Sequence, residues 1–247
     1  MGALAWPRRC RGLSTGLGGL AARHAALDAR AWRRNDHRVE ASPFPAPPAP
    51  SSWIRRFVGL ASPGTPALDL ACGQGRHARL LAELGHPVLA VDRDAAALAG
   101  LAGLRGITTL CAELETAPWP LAGQRFGLVV VTRYLWRPRF AALLDCVATG
   151  GLLLYETFAR GHEALGRPTR AEFLLEDGEL LERCHGLASV LAYEQLRVDE
   201  PAPAFVQRIA ARRIRVEPPA GAERLHPAAA TSKDAEPAAP RDRNPSP

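Results

Sequence analysis

The sequence predicts a doubly wound α/β fold, in which a mostly parallel, seven-stranded sheet ends in an antiparallel hairpin at one edge. Short apolar runs alternate with helical patterns, which is typical of parallel strands that are covered by helices on both faces. The last two strand-like runs have only a turn between them, which indicates the hairpin. The chain has 247 residues, 47% of them hydrophobic, and can therefore build one sizeable core.

The predicted elements follow one another from residue 51 to residue 216. A capping serine begins the first helix, and Gly85 and Pro87 end the second. The predicted helices are residues 51–60, 75–84, 94–101, 138–148 and 177–185. The predicted strands are residues 66–71, 87–92, 107–112, 126–132, 151–157, 187–196 and 204–216.

The two ends of the chain differ in composition from this predicted domain. Residues 1–50 are rich in arginine and proline and are expected to form a disordered extension, and residues 217–247 are expected to form a disordered tail rich in proline and alanine. No apolar run is long enough for a membrane span, and we expect a cytoplasmic location. Residues 1–38, poor in acids, are also compatible with an organelle-targeting segment.

The positive charge of the chain is concentrated at its N-terminal end. Residues 1–56 hold ten arginines and three acidic residues, whereas residues 57–216 hold 17 arginines and 17 acidic residues. The predicted domain therefore has no overall positive field that would attract nucleic acid, and a small-molecule partner is expected. No spacing of histidines and cysteines resembles a zinc site, so no metal is expected.

A glycine-rich turn follows the first predicted strand. In the segment LDLACGQGRHA, Asp69 ends the strand and is followed by Ala71, Gly73 and Gly75, after which a helix begins at once. Glycines at such a turn allow the backbone to approach a ligand closely, because no Cβ intervenes. The carboxylate of Asp69 can accept a hydrogen bond from a cationic amino group.

Acidic residues also mark the ends of the next two strands. Asp92 stands where the second strand ends, and a carboxylate there can bind both ribose hydroxyls of an adenosine. Glu113 follows the third strand, at the level where an adenine edge would lie. Because ligands of open α/β sheets bind at the carboxyl ends of the strands, these acids predict a nucleotide-type site.

The turn and the acids together resemble the class I S-adenosylmethionine-dependent methyltransferases, over about residues 51–216. The first motif is closest to that of the bacterial tellurite-resistance-like group, which has a similar D-L-G/A-C-G-x-G-R form. The resemblance implies a Rossmann-like methyltransferase that uses S-adenosyl-L-methionine. The cofactor residues that it implies are Asp69, Ala71, Gly73 and Gly75 for the methionine part, Asp92 for the ribose, and Glu113 with Leu114 for the adenine.

A nicotinamide dinucleotide fold is the main alternative for this motif. That fold usually carries G-x-G-x-x-G, and ACGQGR lacks the third glycine at that spacing. A sulfonium cofactor has no pyrophosphate to cradle, so the shorter glycine set favours the methyltransferase. Ala71 in place of the commoner glycine and Glu113 in place of the commoner aspartate are departures from the family pattern.

The residues that could contact the methyl acceptor form a less specific pattern than the cofactor motif. Tyr134, Trp136 and Arg137 follow the fourth strand, where they either form an aromatic and cationic wall for the acceptor or pack the core and cap a helix. Glu156 in the fifth strand is either a general base or a buried carboxylate paired with an arginine. No catalytic residue is assigned.

The resemblance leaves three functions to compare. The first is methyl transfer to a small molecule or a metalloid oxyanion, which the neutral, compact domain favours. The second is an RNA or protein methyltransferase that docks through the arginine-rich N-terminal segment. The third is a non-catalytic module that binds the cofactor.

Overall fold

The computed structural model describes residues 48–215. The predicted tail, the predicted targeting segment and all but the last three residues of the predicted extension therefore lie outside the described residues. Helices and strands alternate through the described part, as the sequence predicts. The helices are α1 (Ser52–Phe57), α2 (Arg76–Glu83), α3 (Ala95–Ala99), α4 (Phe140–Asp145) and α5 (Glu179–Cys184). The strands are β1 (Ala67–Leu70), β2 (Val88–Asp92), β3 (Ile107–Cys111), β4 (Phe126–Thr132), β5 (Val147–Phe158), β6 (Ala188–Val198) and β7 (Ala204–Arg213).

The seven strands form one sheet in the order β3-β2-β1-β4-β5-β7-β6. The first five run parallel, and β7 runs antiparallel to both β5 and β6. The predicted fold class is therefore confirmed, including the antiparallel hairpin at the edge. Because β1 pairs with both β2 and β4, the strand order reverses there, and a crevice at the carboxyl ends of β1 and β4 is the expected ligand site.

Each face of the sheet carries its own core. On one face, Val129 and Leu153 pack in a cluster with side chains of α4 and α5. On the other face, Leu128 and Leu154 pack with Trp53 of α1 and with side chains of α2 and α3. Since alternate residues of a strand face opposite cores, the central strands are apolar at nearly every position. Among residues 48–215, no helix is long and apolar enough to cross a membrane.

The largest departure from the predicted elements lies before the fifth strand. Residues 138–148 were expected to be helical, but α4 ends at Asp145 and β5 begins at Val147. Val147 pairs with Phe126 at the start of β4, and the register then shifts, because the next pair joins Leu128 to Leu152 and leaves extra residues on β5. Gly150, with a φ of 77°, lies among these extra residues. The pairing with a neighbouring strand therefore overrides the helical spacing of apolar residues in this segment.

Candidate functional site

A cavity of about 330 Å³ opens at the carboxyl ends of the parallel strands. It lies beside the point where the strand order reverses, as the fold leads one to expect. Residues that end or follow β1 to β5 line most of it, and the connection between β5 and α5 adds two more. The lining residues are Ala71, Asp92, Arg93, Glu113, Leu114, Glu115, Arg133, Tyr134, Leu135, Thr157, Phe158, Pro168 and Phe173.

The glycine-rich turn shapes this cavity mainly through its backbone. Gly73 and Gly75 have φ values of 54° and 73°, in the left-handed region that favours glycine. A Cβ on Gly75 would overlap the side chain of Leu101, so the absence of a side chain lets the turn pack closely. Of the four residues that the sequence assigned to the methionine part of the cofactor, only Ala71 lines the cavity.

Asp92 links the turn to the second strand. Its Oδ2 atom accepts a hydrogen bond of 2.7 Å from the backbone N–H of Gly73, and its Oδ1 atom accepts one of 2.9 Å from Asp94. A carboxylate has about four acceptor positions, so half of this capacity is left for a ligand. Asp92 lines the cavity.

The wall beside Asp92 combines acids with a buried hydroxyl. Glu113 accepts a hydrogen bond of 3.0 Å from the backbone of Glu115 and lies 3.8 Å from Arg93, while Leu114 is buried beneath it. The hydroxyl of Tyr134 is buried and has no hydrogen-bond partner among residues 48–215. Burial, reinforced by the negative charges of Glu115 and Glu113, raises the pKa of Tyr134, so this hydroxyl is a neutral donor. An unpaired buried donor in a cavity wall is available to a ligand.

Asp69 does not line the cavity. Its side chain is 1% exposed, and its Oδ2 atom accepts a hydrogen bond of 2.8 Å from Ala78 in the first turn of α2. Its Oδ1 atom has no partner among the described residues. Burial raises the pKa of Asp69 to about 7, although the hydrogen bond from Ala78 acts in the opposite direction. Asp69 therefore holds the first turn of α2 against the end of β1.

His77, in the first turn of α2, connects three elements in the same region. Its Nε2 atom accepts a hydrogen bond of 3.1 Å from the backbone of Ser51. The proton of the neutral ring is therefore on Nδ1, which lies 3.3 Å from the hydroxyl of Thr132. Burial, together with the positive charges of Arg76 and Arg133, lowers the pKa of His77 to about 3. His77 is thus a neutral packing residue between α1, α2 and β4.

Of the four acceptor-pocket candidates, Tyr134 lines the cavity, and Trp136, Arg137 and Glu156 do not. Glu156 accepts a hydrogen bond of 3.1 Å from the hydroxyl of Ser51 and lies 3.4 Å from Arg208. Glu156 is therefore paired with an arginine, as one of the two interpretations left open expects, although its side chain is only partly buried. The indole N–H of Trp136 is buried and has no partner among the described residues.

Arg137 binds the backbone of the connection between β5 and α5, which forms one side of the cavity. Its guanidinium donates two hydrogen bonds, of 2.8 Å and 2.7 Å, to Glu179. It also donates to the backbone carbonyls of Glu172 and Leu174, each at 2.7 Å. Burial alone would raise the pKa of Glu179, but the hydrogen bonds from Arg137 and Arg183 and from a backbone N–H lower it. Arg137 therefore fixes the backbone on both sides of Phe173.

Replacement of Arg137 by alanine is expected to lower the free energy of unfolding by about 1–2 kcal/mol. The variant loses four hydrogen bonds, but Glu179 keeps its ion pair of 2.6 Å with Arg183. Urea-induced unfolding measures this change. Arg183→Ala is the matched control, because it removes a partner of Glu179 without touching the backbone beside Phe173. Unchanged stability in Arg137→Ala would contradict the structural role.

The sequence analysis assigned no role to most of the remaining lining residues. Arg93, Glu115, Arg133 and Leu135 lie within two residues of assigned positions, so proximity to the ends of β2, β3 and β4 was the available signal. Thr157 and Phe158 end β5 in the same way.

Pro168 and Phe173 have no such signal in the sequence, because a tertiary contact brings the connection between β5 and α5 back to the sheet. The bridge between Ala159 and Leu175 closes the base of this connection.

Comparisons with known proteins agree with this geometry. Residues 67–151 match a family model that is described as a methyltransferase domain. The chain is similar in structure to TehB from Haemophilus influenzae, with a TM-score of 0.55 and 21% identity over 65% of this chain and 61% of that chain. It thus spans less than two thirds of that relative. No curated protein matches the sequence.

Two further solved structures share the fold. The N-methyltransferase NodS from Bradyrhizobium japonicum is 12% identical over 66% of this chain and 93% of that chain, with a TM-score of 0.52. An S-adenosylmethionine-dependent methyltransferase from Mesorhizobium loti is 18% identical over 66% of this chain and 98% of that chain, with a TM-score of 0.50. At these identities the likeness establishes the fold, while the acceptor has to be argued from the cavity.

Proposed function

We propose that this chain, in which residues 67–151 match the model of a methyltransferase domain, transfers a methyl group from S-adenosylmethionine to a small molecule. The family match and the fold support the methyltransferase class, and the similar solved structure described as an S-adenosylmethionine-dependent methyltransferase supports the cofactor. The acceptor and the role of each residue belong to the proposal.

The volume of the cavity leaves little room for an acceptor beside the cofactor. At about 330 Å³ the cavity is close to the lower limit for ligand pockets, which is roughly 300 Å³, and the proposed cofactor residues line part of it. Phe158, Pro168 and Phe173 form one side of it, so the acceptor end is largely apolar. The two phenylalanines favour an organic acceptor over a bare metalloid oxyanion, which has no apolar surface to bury.

The residues that would hold the cofactor are those that bring polar groups to the cavity wall. Asp92 would accept hydrogen bonds from the ribose hydroxyls, and Glu113 and Leu114 would flank the adenine. The backbone of Ala71 would contact the methionine part, while Gly73 and Gly75 shape the turn. Asp69 would support this arrangement indirectly, through its hydrogen bond to α2.

The cofactor supplies an already activated methyl group, so the protein has mainly to orient and dehydrate the acceptor. Positioning alone contributes roughly 7–11 kcal/mol to lowering such a barrier. The side chains of Leu135, Phe158 and Phe173 would exclude water from the acceptor end. Glu156 is paired with Ser51 and lies outside the cavity, and we assign it no role as a general base.

Calorimetric titration of the full chain with S-adenosylhomocysteine, with NADH as the control ligand, tests the cofactor. We expect binding of the first and none of the second. Transfer of labelled methyl groups from S-adenosylmethionine to a cell extract then tests the acceptor. We expect label in the fraction that passes a protein-retaining filter, and label confined to retained RNA or protein would overturn the small-molecule proposal.

A further inference from the structure

The backbone is strained at two neighbouring positions of the cavity. Apart from glycines, Ala71 and Arg133 are the residues of the described chain with positive φ, at 53° and 54°. Ala71 follows β1 and Arg133 follows β4, and these strands are paired up to Leu70 and Val131. Left-handed backbone is unfavourable for a residue with a Cβ, and such strain is concentrated at ligand sites. Ala71 and Arg133 are therefore candidates for contacts with a ligand.

Arg133 offers a cation that the protein itself leaves unpaired. The residue is exposed and lines the cavity, and its side chain forms no hydrogen bond or ion pair with residues 48–215. Only its backbone is fixed, by a hydrogen bond of 2.9 Å from its N–H to the carbonyl of Glu156. Arg93, the other arginine of the wall, differs because it lies 3.8 Å from Glu113.

The charge of Arg133 acts on the start of α2. After the larger effect of burial it lowers the pKa of Arg76, while Glu156 and Asp69 act in the opposite direction. It also lowers the pKa of His77, after burial and the charge of Arg76. Arg133 therefore lies close to the first turn of α2, which follows the glycine-rich turn.

We propose that Arg133 binds the carboxylate of a ligand in this cavity. An arginine guanidinium matches a carboxylate with two parallel hydrogen bonds, which makes this pairing strong and directional. The inference rests on the proposed function, under which the carboxylate comes from the aminoacyl end of the cofactor or from the acceptor. Strained backbone after β4 would aim the guanidinium at that group.

Arg133→Gly is the informative variant, because glycine adopts a φ of 54° without strain. It removes the guanidinium without disturbing the backbone, and its melting temperature should not fall below that of the wild type. Arg133→Lys keeps the positive charge but cannot form the bidentate pair of hydrogen bonds. Both variants are compared with the wild-type full chain.

The first arm compares S-adenosylmethionine with its decarboxylated form, which differs by one carboxylate, in calorimetric titrations. If the cofactor supplies the carboxylate, Arg133→Gly weakens binding of S-adenosylmethionine by about 10- to 100-fold and leaves binding of the decarboxylated form unchanged. Arg133→Lys should be intermediate.

The second arm titrates benzoate, and benzamide as its neutral control, with and without saturating S-adenosylhomocysteine. If the acceptor supplies the carboxylate, wild-type protein binds benzoate in preference to benzamide, and Arg133→Gly loses that preference.

Three results would overturn either the assignment of carboxylate binding to Arg133 or the proposed function on which it rests. Arg133 does not bind a carboxylate if neither S-adenosylmethionine nor benzoate binding depends on it. An equal loss of both cofactor forms in Arg133→Gly would indicate a distorted cavity and would also overturn the assignment. Wild-type protein that binds neither cofactor form overturns the proposed function, and the benzoate titration without S-adenosylhomocysteine still decides the role of Arg133.

Discussion

Replacement of Asp92 by alanine is expected to weaken the binding of S-adenosylhomocysteine by about 2–4 kcal/mol, or roughly 30- to 700-fold. Under the proposed function, the variant loses the charge-assisted hydrogen bonds to the ribose. It also loses the bond of 2.7 Å from the carboxylate to the backbone of Gly73, which holds the glycine-rich turn in place. Calorimetric titration of the two proteins with S-adenosylhomocysteine measures the difference.

Asp94→Ala is a matched control for this variant. Asp94 lies two residues further along and accepts hydrogen bonds from Ala96 and Ala97 as the N-cap of α3. It does not line the cavity, so its loss should cost about 1 kcal/mol of stability and leave ligand affinity unchanged. Asp92→Ala with wild-type affinity would remove Asp92 from the ribose site, and an equal loss in Asp94→Ala would indicate a general effect of destabilisation.

The position of Asp92 could be predicted because it depends on local sequence. A run of buried residues predicts a strand, and the strand ends at the residue where a carboxylate meets the carboxyl edge of the sheet. The same reasoning located Glu113 and the glycine-rich turn. These features require only that the strands lie side by side and parallel, which the alternation of strands and helices implies.

Asp69 was also placed at the end of a strand, but it lies deeper in the sheet than Asp92. It pairs with Ala90, two residues before Asp92, and its side chain is buried. Ala67 and Ala90 pack in the same core, so Asp69 and Asp92 lie on the same face of the sheet and differ only in depth. That depth depends on the register between β1 and β2, which the apolar run of the strand does not encode.

Arg137 was one of the acceptor-wall candidates for a related reason, beside a role in packing or helix capping. Its sequence position, just beyond β4, is that of a site residue, but its partner Glu179 lies 42 residues further along the chain. Pairings at such separations depend on the tertiary fold, which local patterns do not specify. The same holds for Phe173, whose place in the cavity is set by the backbone contacts of Arg137.

The pH dependence of stability should reveal the buried carboxyl of Asp69. Its pKa in the folded protein, about 7, lies above its ordinary value of 3.8. Between these values the unfolded chain releases the proton and the folded protein keeps it, so the free energy of unfolding falls as the pH rises. The contribution of Asp69 should therefore decrease by up to roughly 4 kcal/mol from pH 4 to pH 7 and stay constant above.

His77 acts in the opposite direction over part of this range. Its pKa is lowered from 6.5 to about 3, so below pH 6.5 the unfolded chain gains a proton that the folded protein does not. This group makes the protein more stable as the pH rises, and the two effects offset each other in the wild type. The contribution of Asp69 is therefore visible only as a difference between two proteins.

Asp69→Asn isolates that difference. Asparagine keeps an oxygen that can accept the hydrogen bond from Ala78 but has no proton to release. In urea-induced unfolding between pH 5 and pH 7, we expect the stability of the variant to rise with pH under the influence of His77, while that of the wild type changes much less. Parallel pH profiles for the two proteins would show that Asp69 is ionised in the fold. An ionised Asp69, with its Oδ1 atom unpaired among the described residues, would be able to accept the predicted hydrogen bond from the amino group of the cofactor.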